Sequence, residues 1–145
     1  NIRFDIEMSG VKHQAAVRMG TSRDGVLIFA IENDHFFDRD SLYGEFGDYA
    51  DNGARFIFFS RAVVELAAWL DPLPQILHCN DWQTALIPGL VRSRGLPYRT
   101  VFTVHNLAYQ GIFPAEVFGT TGLPGAYFSA NAYEHFGDLN LMERH

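Results

Sequence analysis

Hydrophobic and polar positions along the chain fall into two regimes. The first thirty residues read as short strands: Ile2 to Met8 and His13 to Met19 alternate imperfectly, with Gly10 and Gly20 as turn signals. Gly25 introduces Val26-Leu27-Ile28-Phe29-Ala30-Ile31, a continuous apolar run that predicts a strand covered on both faces. Asn33 to Tyr49 is a loop dense in Asp, Gly and aromatics. Period 3.6 then takes over. From an N-cap at Asp51, the residues Phe56, Phe59, Val63, Leu66, Ala67 and Leu70 recur at helical spacing, and Pro72 and Pro74 end the helix. Gln75 to Cys79 predicts a short buried strand, with His78 and Cys79 in the core. A helix follows from Trp82 to about Arg94, with Trp82 packing it on the sheet. Gly95 stands at its C′ position, and Arg99 to Val104 makes the next strand. Phe113 to His145 reads as loops with one or two short helical turns.

Strand, helix, strand with short joints is a βαβ unit, so its two strands are parallel and its crossover right-handed. The fold class expected is α/β, three layers with a mostly parallel sheet.

Composition narrows the function. A chain of 145 residues with 48% hydrophobic content suits one domain of an ordinary globular protein. A net charge of -6 and a single lysine, Lys12, argue against nucleic-acid binding, which needs clustered cations. Cys79 is the sole cysteine, which excludes an internal disulfide and suits a reducing, cytoplasmic compartment. No leader or membrane-length apolar run is read, so no membrane partner is expected. The histidines are dispersed and no metal site is expected. Asp38-Arg39-Asp40 begins like a calcium loop, but Leu42 stands where a third oxygen ligand is needed, leaving a solvated acidic loop.

Topology points to a site. Parallel strands joined by one crossover end on the same sheet edge, where open α/β sheets hold ligands. Asp81 follows one strand and His105 the other, about 5 Å apart if the strands are neighbours and about 10 Å with one strand between. Asp81 also directly precedes a helix, so its carboxylate has a competing reading as an N-cap.

The residues there resemble a known family. Val101-Phe102-Thr103-Val104-His105-Asn106-Leu107-Ala108-Tyr109-Gln110-Gly111 is similar to the signature of the glycogen and starch synthases. His78-Cys79-Asn80-Asp81-Trp82-Gln83 resembles the family's His-x-His-Asp-Trp-His, with Asn80 and Gln83 replacing two histidines. Phe37-Asp38-Arg39, Leu42-Tyr43-Gly44, Tyr49-Ala50-Asp51-Asn52 and Phe136 to Met142 match in order. The resemblance implies a retaining GT-B glucosyltransferase that adds glucose from ADP-glucose or UDP-glucose to the non-reducing end of an α-1,4-glucan. No cofactor or metal is implied beyond the nucleotide-sugar substrate. By position it makes His105 and Asp81 catalytic, and Asn106, Tyr43, Tyr109 and Gln110 substrate-binding. Residues 1–145 would be part of the N-terminal, acceptor-side domain. The family's Lys-x-Gly-Gly loop and its nucleotide-binding second domain are not among these residues, so the sheet is expected to be incomplete at its start and the chain inactive alone. Its apolar sheet edge would be open to self-association. The competing function is a non-catalytic glucan-binding module; a nucleotide-binding module is disfavoured by the lack of a Gly-rich phosphate loop.

Overall fold

The computed structural model describes residues 2–143. It opens on an antiparallel meander of β1 (Ile2–Met8), β2 (Val11–Thr21) and β3 (Leu27–Glu32), in the order β1-β2-β3. Alternation chooses the faces: Ile6, Met8, Ala15 and Val17 are buried, while Asp5, Glu7, Gln14 and Arg18 face solvent. β3 corrects the expectation of a strand covered on both faces. It forms, but as an edge strand paired with β2 alone, and Val26, Leu27 and Ile28 are 61%, 59% and 53% exposed. Only its far half, Phe29 and Ile31, comes partly under cover.

After a single helical turn, α1 (Asp34–Phe37), and the acidic loop, α2 (Asn52–Ala67) runs through the centre. Its buried surface is wider than the face read from spacing. Ile57, Phe58, Ala62 and Val64 are buried as well, while Phe59 and Val63 are only half-buried. The cause is a sandwich: α2 packs on β1 and β3 from one side and on residues 82–93 from the other. A helix covered on two sides does not show one stripe. Asp51 precedes α2 without capping it through its side chain; its carboxylate pairs with Arg39 at 2.7 Å instead.

The βαβ unit is present. β4 (Ile76–Asn80) and β5 (Arg99–Thr103) are parallel, in register from Ile76 opposite Arg99 to Asn80 opposite Thr103. The crossover differs from the expected continuous helix: a 3₁₀ turn, Trp82–Thr84, precedes α3 (Leu86–Ser93). Pro88 explains the break. A helix already running from Trp82 would need an N–H from residue 88 to Thr84, which proline lacks. Restarting at Leu86 puts Pro88 in the first turn, where no such bond is required. α3 ends as expected: Gly95 takes φ 60°, Leu96 N–H reaches Val91 O at 3.0 Å and Gly95 N–H reaches Arg92 O at 3.2 Å. That is the paired closure of a Schellman end.

Cys79 is buried toward the helices, as expected, with Leu77 and Phe102 packed beside it. His78 is not in the core; it lies on the opposite, exposed face, its Nε2 2.8 Å from Thr103 Oγ1. The last third holds more strand than expected. β6 (Ile112–Phe113), β7 (Glu134–His135) and β8 (Asp138–Asn140) form an antiparallel sheet in the order β6-β8-β7, beside two 3₁₀ turns, Ala115–Thr120 and Gly125–Tyr127. Strands of two or three residues are too short to display alternation. The whole is α/β, with a Rossmann-like parallel unit midway along the chain and an antiparallel sheet before and after it in chain order. No helix among the described residues is long and apolar enough to cross a membrane.

Candidate active site at the ends of the parallel strands

The parallel pair delivers Asp81 and His105 to one edge, as neighbours. Asp81 N–H continues the ladder to Thr103 O at 2.9 Å. The backbone then takes φ 58° and ψ -178° at Asp81, a region open to glycine and strained by about 1–3 kcal/mol for other residues. That conformation turns the carboxylate away from the helix behind it. No side-chain cap bond forms; Oδ1 accepts the N–H of His105 at 2.6 Å and, more weakly, that of Asn106 at 3.4 Å. The N-cap alternative is thereby excluded. Asp81 anchors the signature loop through two successive main-chain donors, and the His105 ring turns to Asn80, Nε2 to Oδ1 at 3.1 Å.

A cleft of about 610 Å³ opens beside this tie. Asp81, Trp82 and Gln83 line it from the β4 end, Asn106 and Tyr109 to Phe113 from the signature loop and β6, and Tyr43, Asp48 and Asn52 from the acidic loop and the start of α2. Thus five of the six candidate residues, Asp81, Tyr43, Asn106, Tyr109 and Gln110, meet at one cavity. The ring of His105 does not line it. Trp82 is buried, with its ring 4.8 Å from that of Phe56, 5.6 Å from Phe113 and 6.1 Å from Tyr43.

The acidic loop holds Tyr43 in place because a buried arginine supports it. Arg55 is 2% exposed; Nε donates to Phe36 O at 2.7 Å, and Nη1 to Leu42 O at 2.8 Å and to Asn52 Oδ1 at 2.7 Å. Burial, and then the nearby Arg39 charge, lower its pKa from the ordinary guanidinium value. Asn52 passes the support on: its Nδ2 donates to Tyr43 O at 2.9 Å. Gln83 Nε2 donates to the Tyr43 hydroxyl, fixing the ring from the other side.

On the signature loop, Asn106 Oδ1 accepts Ala108 N–H at 3.0 Å, a local turn. Tyr109 is 67% exposed at the rim. Gln110 is committed to the protein at both ends of its amide, Nε2 to Leu107 O at 3.3 Å and Oε1 from Asn140 Nδ2 at 2.8 Å. Gly111 has φ 69°, and a Cβ there would stand 2.8 Å from Trp82 Cε3, so only glycine lets the loop rest on the indole.

Asp48, Asn52 and Gln83 line the cleft without having been expected to. Gln83 lay two residues after Asp81 in the same motif, and Asn52 lay three before Arg55, one turn along the same helix. The lining offers amides, carboxylates and phenol rings. Such a set suits a neutral polyhydroxyl ligand, whose hydroxyls need directional partners and whose C–H faces suit aromatic rings. Among the described residues no group of three or more His, Cys, Asp or Glu side chains could hold a metal ion.

The chain is similar to known proteins over nearly its whole length. The chain is 44% identical over 146 residues to Glycogen synthase 2 of Geobacter sulfurreducens, an alignment covering 96% of this chain and 30% of that protein. It is 39% identical over 148 residues to the glycogen synthase of Opitutus terrae, covering 97% and 31%. Its fold matches the catalytic domain of starch synthase IV from Arabidopsis thaliana bound to ADP and acarbose, with TM-score 0.82 and 30% identity, over 97% of this chain and 30% of that one. The chain therefore spans about 30% of the length of these relatives. Residues 1–145 all fall within a match to the starch synthase catalytic domain. With every residue inside that match, the Asp81 tie and the His105–Gly111 loop included, the chain belongs to the starch synthase catalytic domain family.

Proposed function

We propose that this chain is the acceptor-side portion of the N-terminal domain of a retaining glucosyltransferase. The enzyme moves glucose from a nucleotide-diphosphoglucose donor, ADP-glucose first among them, to the non-reducing end of an α-1,4-glucan. The observation that carries the reading is the tie between Asp81 and the His105–Asn106 backbone at the ends of the parallel strands, opening directly into a cleft of amides and aromatic rings. The Arabidopsis starch synthase bound to ADP and acarbose supports it.

Each residue has a part in this reading. Asp81 holds the loop with one carboxylate oxygen and brings negative charge to the cleft, where it favours the oxocarbenium-like character that develops on the transferring glucose. His105 enters through its main chain on the same edge, its ring held by Asn80. Asn106 has spent its Oδ1 on Ala108 and offers its amide N–H₂ to a sugar hydroxyl. Tyr43 and Tyr109 offer aromatic rings to the apolar sides of glucose. Gln110 contributes by bracing the loop. The donor diphosphate requires cations that the cleft lining lacks, and the rest of the synthase supplies them; the isolated chain is then inactive.

In the complete synthase carrying this segment, Asp81→Asn is expected to lower glucosyl transfer to maltooligosaccharide by at least about tenfold, the scale of one lost transition-state contact; His105→Ala, which keeps the main-chain N–H and removes only a ring held by Asn80 outside the cleft, is expected to lower it by less. An Asp81→Asn rate within about twofold of the parent would remove the assignment. A second reading, a glucan-binding module, is favoured by the exposed Tyr109 ring; it predicts saccharide binding by this chain without any effect of these substitutions on transfer. The bare apolar residues Met19 on β2, Val26 just before β3, and Leu27 and Ile28 at its start support self-association of the isolated chain, which sedimentation velocity over a concentration series reads directly.

A further inference from the structure

The His105–Gly111 loop is fastened at both ends, and the rear fastening comes from outside the motif. At the front Asp81 holds the N–H groups of His105 and Asn106. At the rear Leu141 N–H donates to Gly111 O at 3.1 Å and Met142 N–H to Gln110 O at 3.3 Å, so the segment after β8 runs along the loop's exit. Between these lies Asn140, at the end of β8 opposite Ile112 and 0% exposed. Its Nδ2 donates to Gln110 Oε1 at 2.8 Å and to Glu143 Oε2 at 3.3 Å, and its Oδ1 accepts Met142 N–H at 2.9 Å. Gln110 carries the connection forward, from Nε2 to Leu107 O at 3.3 Å. A buried amide has no water to turn to, so the Nδ2 hydrogen given to Gln110 Oε1 is satisfied only while Gln110 stays where it is. A carboxylate of the same shape at position 140 would present an acceptor to Gln110 Oε1 and a like charge to Glu143.

We propose that Asn140 is a positioning residue for glucosyl transfer: acting through Gln110, it holds the crest of the His105–Gly111 loop and so fixes where Asn106 and Tyr109 meet the sugar. Its effect on turnover rests on the reading of the cleft as a sugar site, whereas the bracing is measurable without sugar.

Amide hydrogen exchange at Ala108 and Tyr109 tests the bracing, in the parent chain, Gln110→Ala, Asn140→Ala and the double variant. Each single substitution is expected to speed exchange there by at least about tenfold, and the double to exceed neither, because both cut one connection. Parent-like exchange in Gln110→Ala, or multiplied effects in the double, overturns the proposal. Gln110 is only half-buried, so Gln110→Ala decides the matter even if Asn140→Ala does not fold. In the complete synthase, both single variants are expected to raise KM for maltooligosaccharide more than they lower kcat, with the double no worse. A loosened loop with unchanged kinetics overturns the positioning role and the sugar-site reading behind it; an unloosened loop overturns the bracing alone.

Discussion

Replacing Asp81 by alanine and by glycine separates the two things this residue does. At φ 58° and ψ -178° its backbone carries strain of about 1–3 kcal/mol, which glycine relieves and alanine does not. Both substitutions remove the carboxylate that accepts His105 N–H at 2.6 Å, a charge-assisted bond worth about 1.5–3 kcal/mol, nearer the lower figure at a half-exposed site. Glycine also adds about 0.4–1 kcal/mol of freedom to the unfolded chain. The lost bond cancels between the two variants. Asp81→Gly is therefore expected to be more stable than Asp81→Ala by roughly 0.5–2 kcal/mol, from the strain and chain-entropy figures combined. With a urea slope of about 2 kcal/mol/M, its unfolding midpoint should lie roughly 0.3–1 M higher. Exchange of the His105 amide should nonetheless rise in both, since both lose the anchor. Equal midpoints, or a lower one for glycine, would refute the claim that the site stores backbone strain.

Other consequences are checked more simply. Gly111→Ala forces alanine to φ 69° and drives its Cβ to 2.8 Å from Trp82 Cε3; left-handed strain plus overpacking totals at least about 2 kcal/mol, so Tm should fall by at least about 4 °C, and a fall under about 1 °C would contradict the packing. Burial pushes the Cys79 thiol up to about 11, so at pH 8 its thiolate fraction, and its rate with a disulfide reagent, should be about 100-fold below those of an ordinary cysteine until urea unfolds the chain. His13 lies below the ordinary imidazole value of 6.5, first because of burial and then because of His35. The unfolded chain thus binds more protons: stability is intact above the unfolded pKa and declines as pH falls through it toward the lower folded value. The urea midpoint should drop between pH 7.5 and 5.5, and His13→Gln should reduce that drop.

How far the chain could be read depended on whether competing local rules shared an answer. β4, α3 and β5 were legible because apolar runs, Gly95 and the prolines all pointed to one βαβ unit, and that unit alone brought Asp81 and His105 to one edge. The target of the Asp81 carboxylate was not legible. An acid before a helix reads equally as a cap, and the choice turned on the Asp81 backbone, whose φ of 58° sends the carboxylate to the His105 N–H and away from the turn that follows it. Tyr43 was reachable only through resemblance. Its placement depends on Arg55 and Asn52 reaching back across the loop, and no periodicity records that contact. Gln110 was read as a sugar ligand because its motif says so, whereas its amide is committed to Leu107 and Asn140. The apolar run at β3 indicated a strand correctly, but hydrophobicity alone could not show that the strand lies at an edge.

The central claim is that the cleft between Tyr43 and the His105–Gly111 loop holds sugar. Trp82, whose ring is 6.1 Å from Tyr43, reports on it directly once the exposed Trp69 is replaced by phenylalanine. Titration of that variant with maltooligosaccharide should give a saturable change in Trp82 fluorescence that Tyr43→Ala abolishes without altering the far-ultraviolet circular dichroism. A flat titration through millimolar sugar, or a saturable change that survives Tyr43→Ala, would contradict it.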